Sequence, residues 1–238
     1  MPVKNLCIKI ARCTQLGVFP CDKIASVQSN CILKQMPEPW NGHLATAEIM
    51  FIGSNPSIDC EEYFPNIGWK NDDIFDFFEN RFINGKVLKS TGKRDSVKYW
   101  SGLITYANII NNLTGNRYYK GSLAEATKDN GWDYSVLDPY VVSTEIVHCK
   151  SKAAYGFEDA RCKCSDTWMA NILKLFNGKL IVVLGANAKK AIKKCSKLNA
   201  IITSLKIPVI YLPHPSFPMS DKNRKAAVQN ELARVHLP

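Results

Sequence analysis

The amino-acid sequence predicts an α/β protein, a three-layer sandwich whose central four-stranded parallel sheet is flanked by helices. Three observations predict it. Four short runs rich in Ile and Val show little polar alternation, as expected of strands covered on both faces. Segments of helical period lie between them, and strand alternates with helix along the chain. The length of 238 residues suits one domain with a substantial core. The whole span 1–238 is therefore expected to be a single domain, with an irregular, cysteine-bearing segment over 1–45.

The strands are expected at 48–53, 141–148, 180–185 and 208–212. The first helix, 72–82, places Ile74, Phe77 and Phe78 on one face, and 100–113 repeats apolar residues at helical spacing. A helix over 166–176 carries Met169, Ile172, Leu173 and Phe176 and is expected to start behind a Ser165 cap. Helices over 186–195 and 222–235 complete the set, and 114–140, with Gly115, Gly121, Gly131 and Pro139, reads as a long connection.

Composition narrows the function classes. Hydrophobic residues make up 46% and aromatic residues 10%, which excludes a disordered chain. No apolar run approaches the ~18 residues of a membrane span, and 1–13 lacks a secretory apolar region followed by a small-residue cleavage site. A soluble, cytoplasmic monomer is expected. Lys and Arg number 31 against 21 Asp and Glu, so the net charge is +10 and nucleic acid is the first polyanion to consider. A solvated basic face would produce the same count. Nine cysteines at irregular spacing argue against a complete disulfide framework.

Ligands of open parallel sheets bind beyond the carboxyl ends of the strands. The exits here are Gly53-Ser54-Asn55-Pro56-Ser57, Glu145-Ile146-Val147-His148-Cys149, Leu184-Gly185-Ala186-Asn187-Ala188 and His214-Pro215-Ser216-Phe217. Glycine allows a tight turn near a ligand, proline stiffens it, and the Asn55 amide both donates and accepts. His214 in a rigid turn could hydrogen-bond a developing anion, and Ser216 could take a phosphate. Singly, each turn could equally be structural.

Together, on the first and last strands, the two turns resemble the motifs of the uracil-DNA glycosylase superfamily. Ile49 to Ser57 is similar to the first motif, with Asn55 where the mismatch-specific branch also has Asn, and His214-Pro215-Ser216 is similar to the last. The resemblance covers about 28–235 and takes in the Leu-Gly-x-x-Ala turn at 184–188; the lead-in Pro37 to Gly42 and the stretch 59–69 match no branch closely. It implies a monofunctional DNA glycosylase that flips a deaminated or modified base, uracil or an altered pyrimidine, and hydrolyses its glycosidic bond. Asn55 would position water and His214 would stabilise the departing base. Gly53 and Ser54 would line the base site, with Phe64 or Tyr63 stacking on the base. Phe217 would wedge into the vacated stack, and Ser216, Lys222, Arg224 and Lys225 would hold DNA.

Two further expectations rest on this resemblance. Iron–sulfur members place Asn four residues before a strand-end Cys, to read uracil; this chain has Glu145 four before Cys149. An ionised carboxylate only accepts, so it would repel uracil O4. Glu145 is therefore protonated, or the target has a cytosine-like edge, or the side chain turns to a Lys of the following loop. The thermophile-type branch also carries a [4Fe–4S] cluster. Cys21, Cys31, Cys149 and Cys164 are the expected ligands, with Cys13 or Cys7 as substitutes because Gln28 stands where a close Cys partner of Cys31 would be. Plain buried thiols are the alternative. A binding module of this fold without catalysis competes with the enzyme, and a flavodoxin-like phosphate binder ranks last because Pro56 removes an amide.

Overall fold

The computed structural model describes residues 2–31, 34–82, 98–123 and 134–237. Strands β1 (Ile49–Gly53), β2 (Val141–Glu145), β3 (Leu180–Leu184) and β4 (Val209–Leu212) form one parallel sheet in the order β2-β1-β3-β4. β1, β2 and β3 are buried at every position, and β1 and β3 occupy the centre.

Alternate strand residues feed two apolar layers. Met50, Ile52, Val142, Ile181 and Val183 pack with helices α1 (Val3–Ala11), α3 (Asn71–Glu79), α5 (Phe157–Leu175), α6 (Gly185–Lys194) and α7 (Ser196–Ser204). Ile49, Phe51, Val141, Leu180 and Val182 face α4 (Lys98–Leu113) and α8 (Asp221–Arg234). The expected sandwich is thus the observed one. No helix among the described residues is long and apolar enough to cross a membrane.

Several local expectations are corrected. The segment 1–45 is not irregular throughout: α1 buries Leu6, Cys7 and Ile10, and α2 (Asp22–Ser26) buries Ile24. Leu6 and Ile10 are four apart, a helical spacing present in the sequence. α5 starts at Phe157, nine residues before the expected 166, entered through Gly156 at φ 75°. Ser165 lies within it, donating to the Cys162 carbonyl instead of capping. α7 was not expected. β2 ends at Glu145, where the chain leaves the sheet and follows the neighbouring turn, Ile146 N donating to Gly53 O and Val147 N to Ser54 O. Part of the connection 114–140 lies outside the described residues.

Candidate active site

Sheet register places Gly53, the last residue of β1, directly beside Glu145, the last of β2. The two exits then run together. Ser151 N donates to Pro56 O, Ile58 N donates to Ser151 O, and Asn55 Nδ2 donates to Ser151 Oγ at 2.9 Å. A second bond, Asn55 Nδ2 to Pro56 O at 3.2 Å, fixes the amide plane. Its Oδ1 accepts only a long bond from Ser54 Oγ, at 3.4 Å, among the described residues. Both donors of Asn55 are engaged and its acceptor retains capacity, which suits orientation of a water molecule.

His214 stands at the exit of β4. The Ser216 backbone N–H donates to His214 Nδ1 at 3.2 Å. Nδ1 is therefore the acceptor, and the neutral ring carries its proton on Nε2. Partial burial holds the imidazole pKa below its usual value, so the neutral tautomer prevails at neutral pH. The turn is braced from several sides. Arg224 donates to Pro215 O and Phe217 O, Tyr106 OH donates to Pro213 O, and Phe217 N closes onto His214 O. Gly185, at φ 83°, lies where a Cβ would stand 3.4 Å from His214 Cβ.

Tyr99, at the start of α4, links the two halves. Its ring lies 5.6 Å from that of His214, and its hydroxyl is 3.0 Å from Ser143 Oγ and donates to Glu145 Oε1 at 3.4 Å. Glu145 is only 6% exposed, and a Cβ on Gly53 would overlap its carboxyl. Burial, then the neighbouring Glu38, pushes its pKa well above the usual carboxylate range. Burial and then Glu145 raise Tyr99 likewise, keeping it a neutral donor. The expectation that Glu145 might turn to a loop lysine is not met at Lys150: that ammonium bonds Glu62. Gly53, Glu145, Tyr99 and His214 thus form one continuous set of contacts, with Asn55 two residues beyond Gly53.

Phe64 and Arg224 are engaged elsewhere. Phe64, expected against a base, is 5% exposed and packs edge-on with Phe77 and Phe78. Lys150 Nζ sits 3.7 Å from the centre of its ring, and Arg81, which bonds Glu62, lies 5.3 Å away. Tyr63 is exposed beside Trp69. Arg224, expected on a phosphate, is bound to the carbonyls of the His214 turn; a guanidinium offers several donors, and the turn leaves two carbonyls within its reach. Ser216, Lys222 and Lys225 are exposed, and neither lysine forms an ion pair among the described residues. Phe217 is 57% exposed next to His214, on the surface a wedge would need.

One of the four cysteines expected as ligands is paired. Cys31 forms a disulfide with Cys60, because the stretch after Ser57 folds back along the lead-in, where Gln35 donates to Asp59 O. A second disulfide joins Cys162 to Cys195. Cys7, Cys13, Cys21, Cys149 and Cys164 remain free. Burial raises the thiol pKa of Cys149 and of Cys164, the latter to about 12, and charge on Cys21 and Cys13 adds to the rise in both. Among the described residues no three His, Cys, Asp or Glu side chains could hold a single metal ion.

Tyr99, Gly102 and Tyr106 were not singled out in the sequence. They lie at three- and four-residue spacing on the face of α4 that meets the His214 turn. A Cβ at Gly102 would stand 2.6 Å from Pro215 Cβ and 2.7 Å from its carbonyl oxygen. The buried lead-in residue Glu38 was also missed; its side chain accepts from Asn41, while its backbone pairs with His148. The model of one protein family, described as the uracil DNA glycosylase superfamily, matches residues 39–234. A search of curated proteins finds no match.

Proposed function

Because the chain belongs to the uracil-DNA glycosylase superfamily, whose match takes in both turns of the site, we propose that it is a monofunctional DNA glycosylase acting on a deaminated or modified base. The observation that carries this reading is the His214 tautomer. The Ser216 amide occupies Nδ1 and leaves Nε2–H as a free donor on a ring that lies 5.6 Å from that of Tyr99.

The reaction breaks the bond between C1′ and the base nitrogen, and its electron pair departs with the base. Water, oriented by the Asn55 carbonyl oxygen, adds to C1′ and releases a proton to solvent. Neither side chain forms a covalent bond. The enzyme's main task is to stabilise charge on the departing base, and His214 Nε2–H does so. Flipping exposes the base to the turns, Phe217 fills the gap it leaves, and Ser216, Lys222 and Lys225 contact the strand. Gly53 and Ser54 form the floor of the base site.

A [4Fe–4S] cluster takes four cysteine ligands, and the free thiols of Cys13, Cys21, Cys149 and Cys164 are the ones it would draw on, with Cys7 as the alternative to Cys13. Bound there, it would supply a structural tie between the N-terminal segment, the β2 exit and α5.

The test is release of base from oligonucleotides containing uracil, hypoxanthine or modified cytosines, followed by alkaline cleavage of the abasic product. Replacement of His214 by Ala is expected to slow cleavage by about 10²–10³-fold. DNA binding without cleavage of any base would favour the inactive binding module.

A further inference from the structure

The Asn55 amide has a donor end and an acceptor end, and a half-turn of the amide plane exchanges them. Only one orientation offers an acceptor to a water molecule. Ser151, in the chain beyond β2, meets the donor end. It is 1% exposed, whereas Asn55 is half-buried. Its backbone is tied to the Asn55 turn on both sides: Ser151 N donates to Pro56 O at 3.0 Å, and Ile58 N donates to Ser151 O at 3.2 Å. The two segments also form a parallel bridge at Ser57 and Ser151. Next to Ser151 the Lys150 ammonium is bound to Glu62, which anchors this stretch of chain. The Ser151 hydroxyl oxygen accepts from Asn55 Nδ2 at 2.9 Å, the shorter of the two bonds that nitrogen donates. Among the described residues the Asn55 side chain bonds Ser54, Pro56 and Ser151, and of these Ser151 alone comes from outside its own turn.

We propose that Ser151 is a positioning residue for the attacking water: by accepting from Asn55 Nδ2 it holds the amide with Oδ1 turned towards C1′. The inference rests on the glycosylase reading above. A water that donates to Oδ1 keeps a lone pair for C1′, whereas a water facing Nδ2 would accept and engage that pair. Rotation of the amide would therefore leave a water of the wrong polarity in the same place. Without the Ser151 hydroxyl the amide nitrogen keeps only its longer bond, to Pro56 O at 3.2 Å. Ser151 acts through Asn55 and does not itself meet the reacting atoms. The pair is 96 residues apart in the chain, and the register that sets Gly53 beside Glu145 is what brings the two exits together.

The experiment pairs NMR of side-chain amides with a double-mutant cycle in single-turnover base release at saturating oligonucleotide. In the wild type the Asn55 amide protons are expected to exchange with solvent about tenfold more slowly than those of the exposed Asn199, and Ser151→Ala should remove that protection. Ser151→Ala should also slow base release about tenfold, the worth of one hydrogen bond, with oligonucleotide affinity unchanged. Asn55→Ala should be slower still, and adding Ser151→Ala to it should change the rate no further. A residue that only supports the fold would slow the Asn55→Ala protein by the same factor as the wild type, and that result overturns the proposal. So does a full rate in Ser151→Ala, or a loss confined to affinity. Wild-type Asn55 amide protons that exchange as fast as those of Asn199 overturn it without any variant. Protected Asn55 protons with no base released from any DNA overturn the glycosylase reading, and this role with it.

Discussion

Glu62 offers the sharpest test of how the loop beside the site is held. Its carboxylate lies between Lys150 and Arg81, with side-chain exposures of 7% for Glu62, 2% for Lys150 and 4% for Arg81. Substitution Glu62→Gln keeps the shape and removes the negative charge that pairs with both cations among the described residues. Breaking a buried pair from one side costs about 3–5 kcal/mol, because an uncompensated charge is left behind. Here two cations lose their partner, although both retain contact with aromatic rings, Lys150 with Phe64 and Arg81 with Phe77 and Phe64. An amide oxygen still accepts one bond, so we expect about 3 kcal/mol. At about 2–4 °C per kcal/mol for a domain this size, the melting temperature should fall by roughly 6–12 °C.

The pH dependence supplies a second reading of the same variant. Burial alone would raise the Glu62 pKa, but Lys150 and then Arg81 outweigh it and the net shift is downward. A depressed carboxylate contributes stability above its unfolded value of about 4.3, and that stability is lost as pH falls towards the folded value. The gap between wild type and variant should therefore be full at neutral pH and close below about pH 4. Urea unfolding followed by tryptophan fluorescence measures both. Glu48→Gln is the control: its partner Lys179 is 51% exposed, and a loss under about 1 kcal/mol is expected. A Glu62→Gln loss no larger than the control's would refute the reasoning.

Two further outcomes follow from packing and from the thiols. Gly102→Ala should push the His214 turn away from α4, costing about 1–3 kcal/mol by overpacking and slowing cleavage more than binding; unchanged cleavage would show that the turn yields freely. In anaerobically purified protein, Cys13→Ser should abolish the visible absorbance and iron content of a cluster, whereas Cys31→Ser should leave both intact. The reverse pattern would return Cys31 to the ligand set.

What the amino-acid sequence determined by itself was the layering and the identity of the two turns. Runs such as Leu180 to Leu184 are short, β-branched and apolar on both faces, a pattern that suits a strand covered on both sides. Gly53 to Ser57 and His214 to Phe217 are contiguous, so their chemistry is legible without a fold. Tertiary structure decided everything that depends on distant residues meeting. Tyr99 reads as an ordinary helix residue until α4 brings its hydroxyl to Glu145, 46 residues away. Arg224 reads as a phosphate ligand until two carbonyls of its own turn come within reach. Cys31 and Cys60, 29 residues apart, look independent until the loop after Ser57 folds back. The charge of Glu145 is the clearest case. Composition says carboxylate, but whether it is ionised depends on the water, cations and second carboxyl around it, and only the packed chain specifies those.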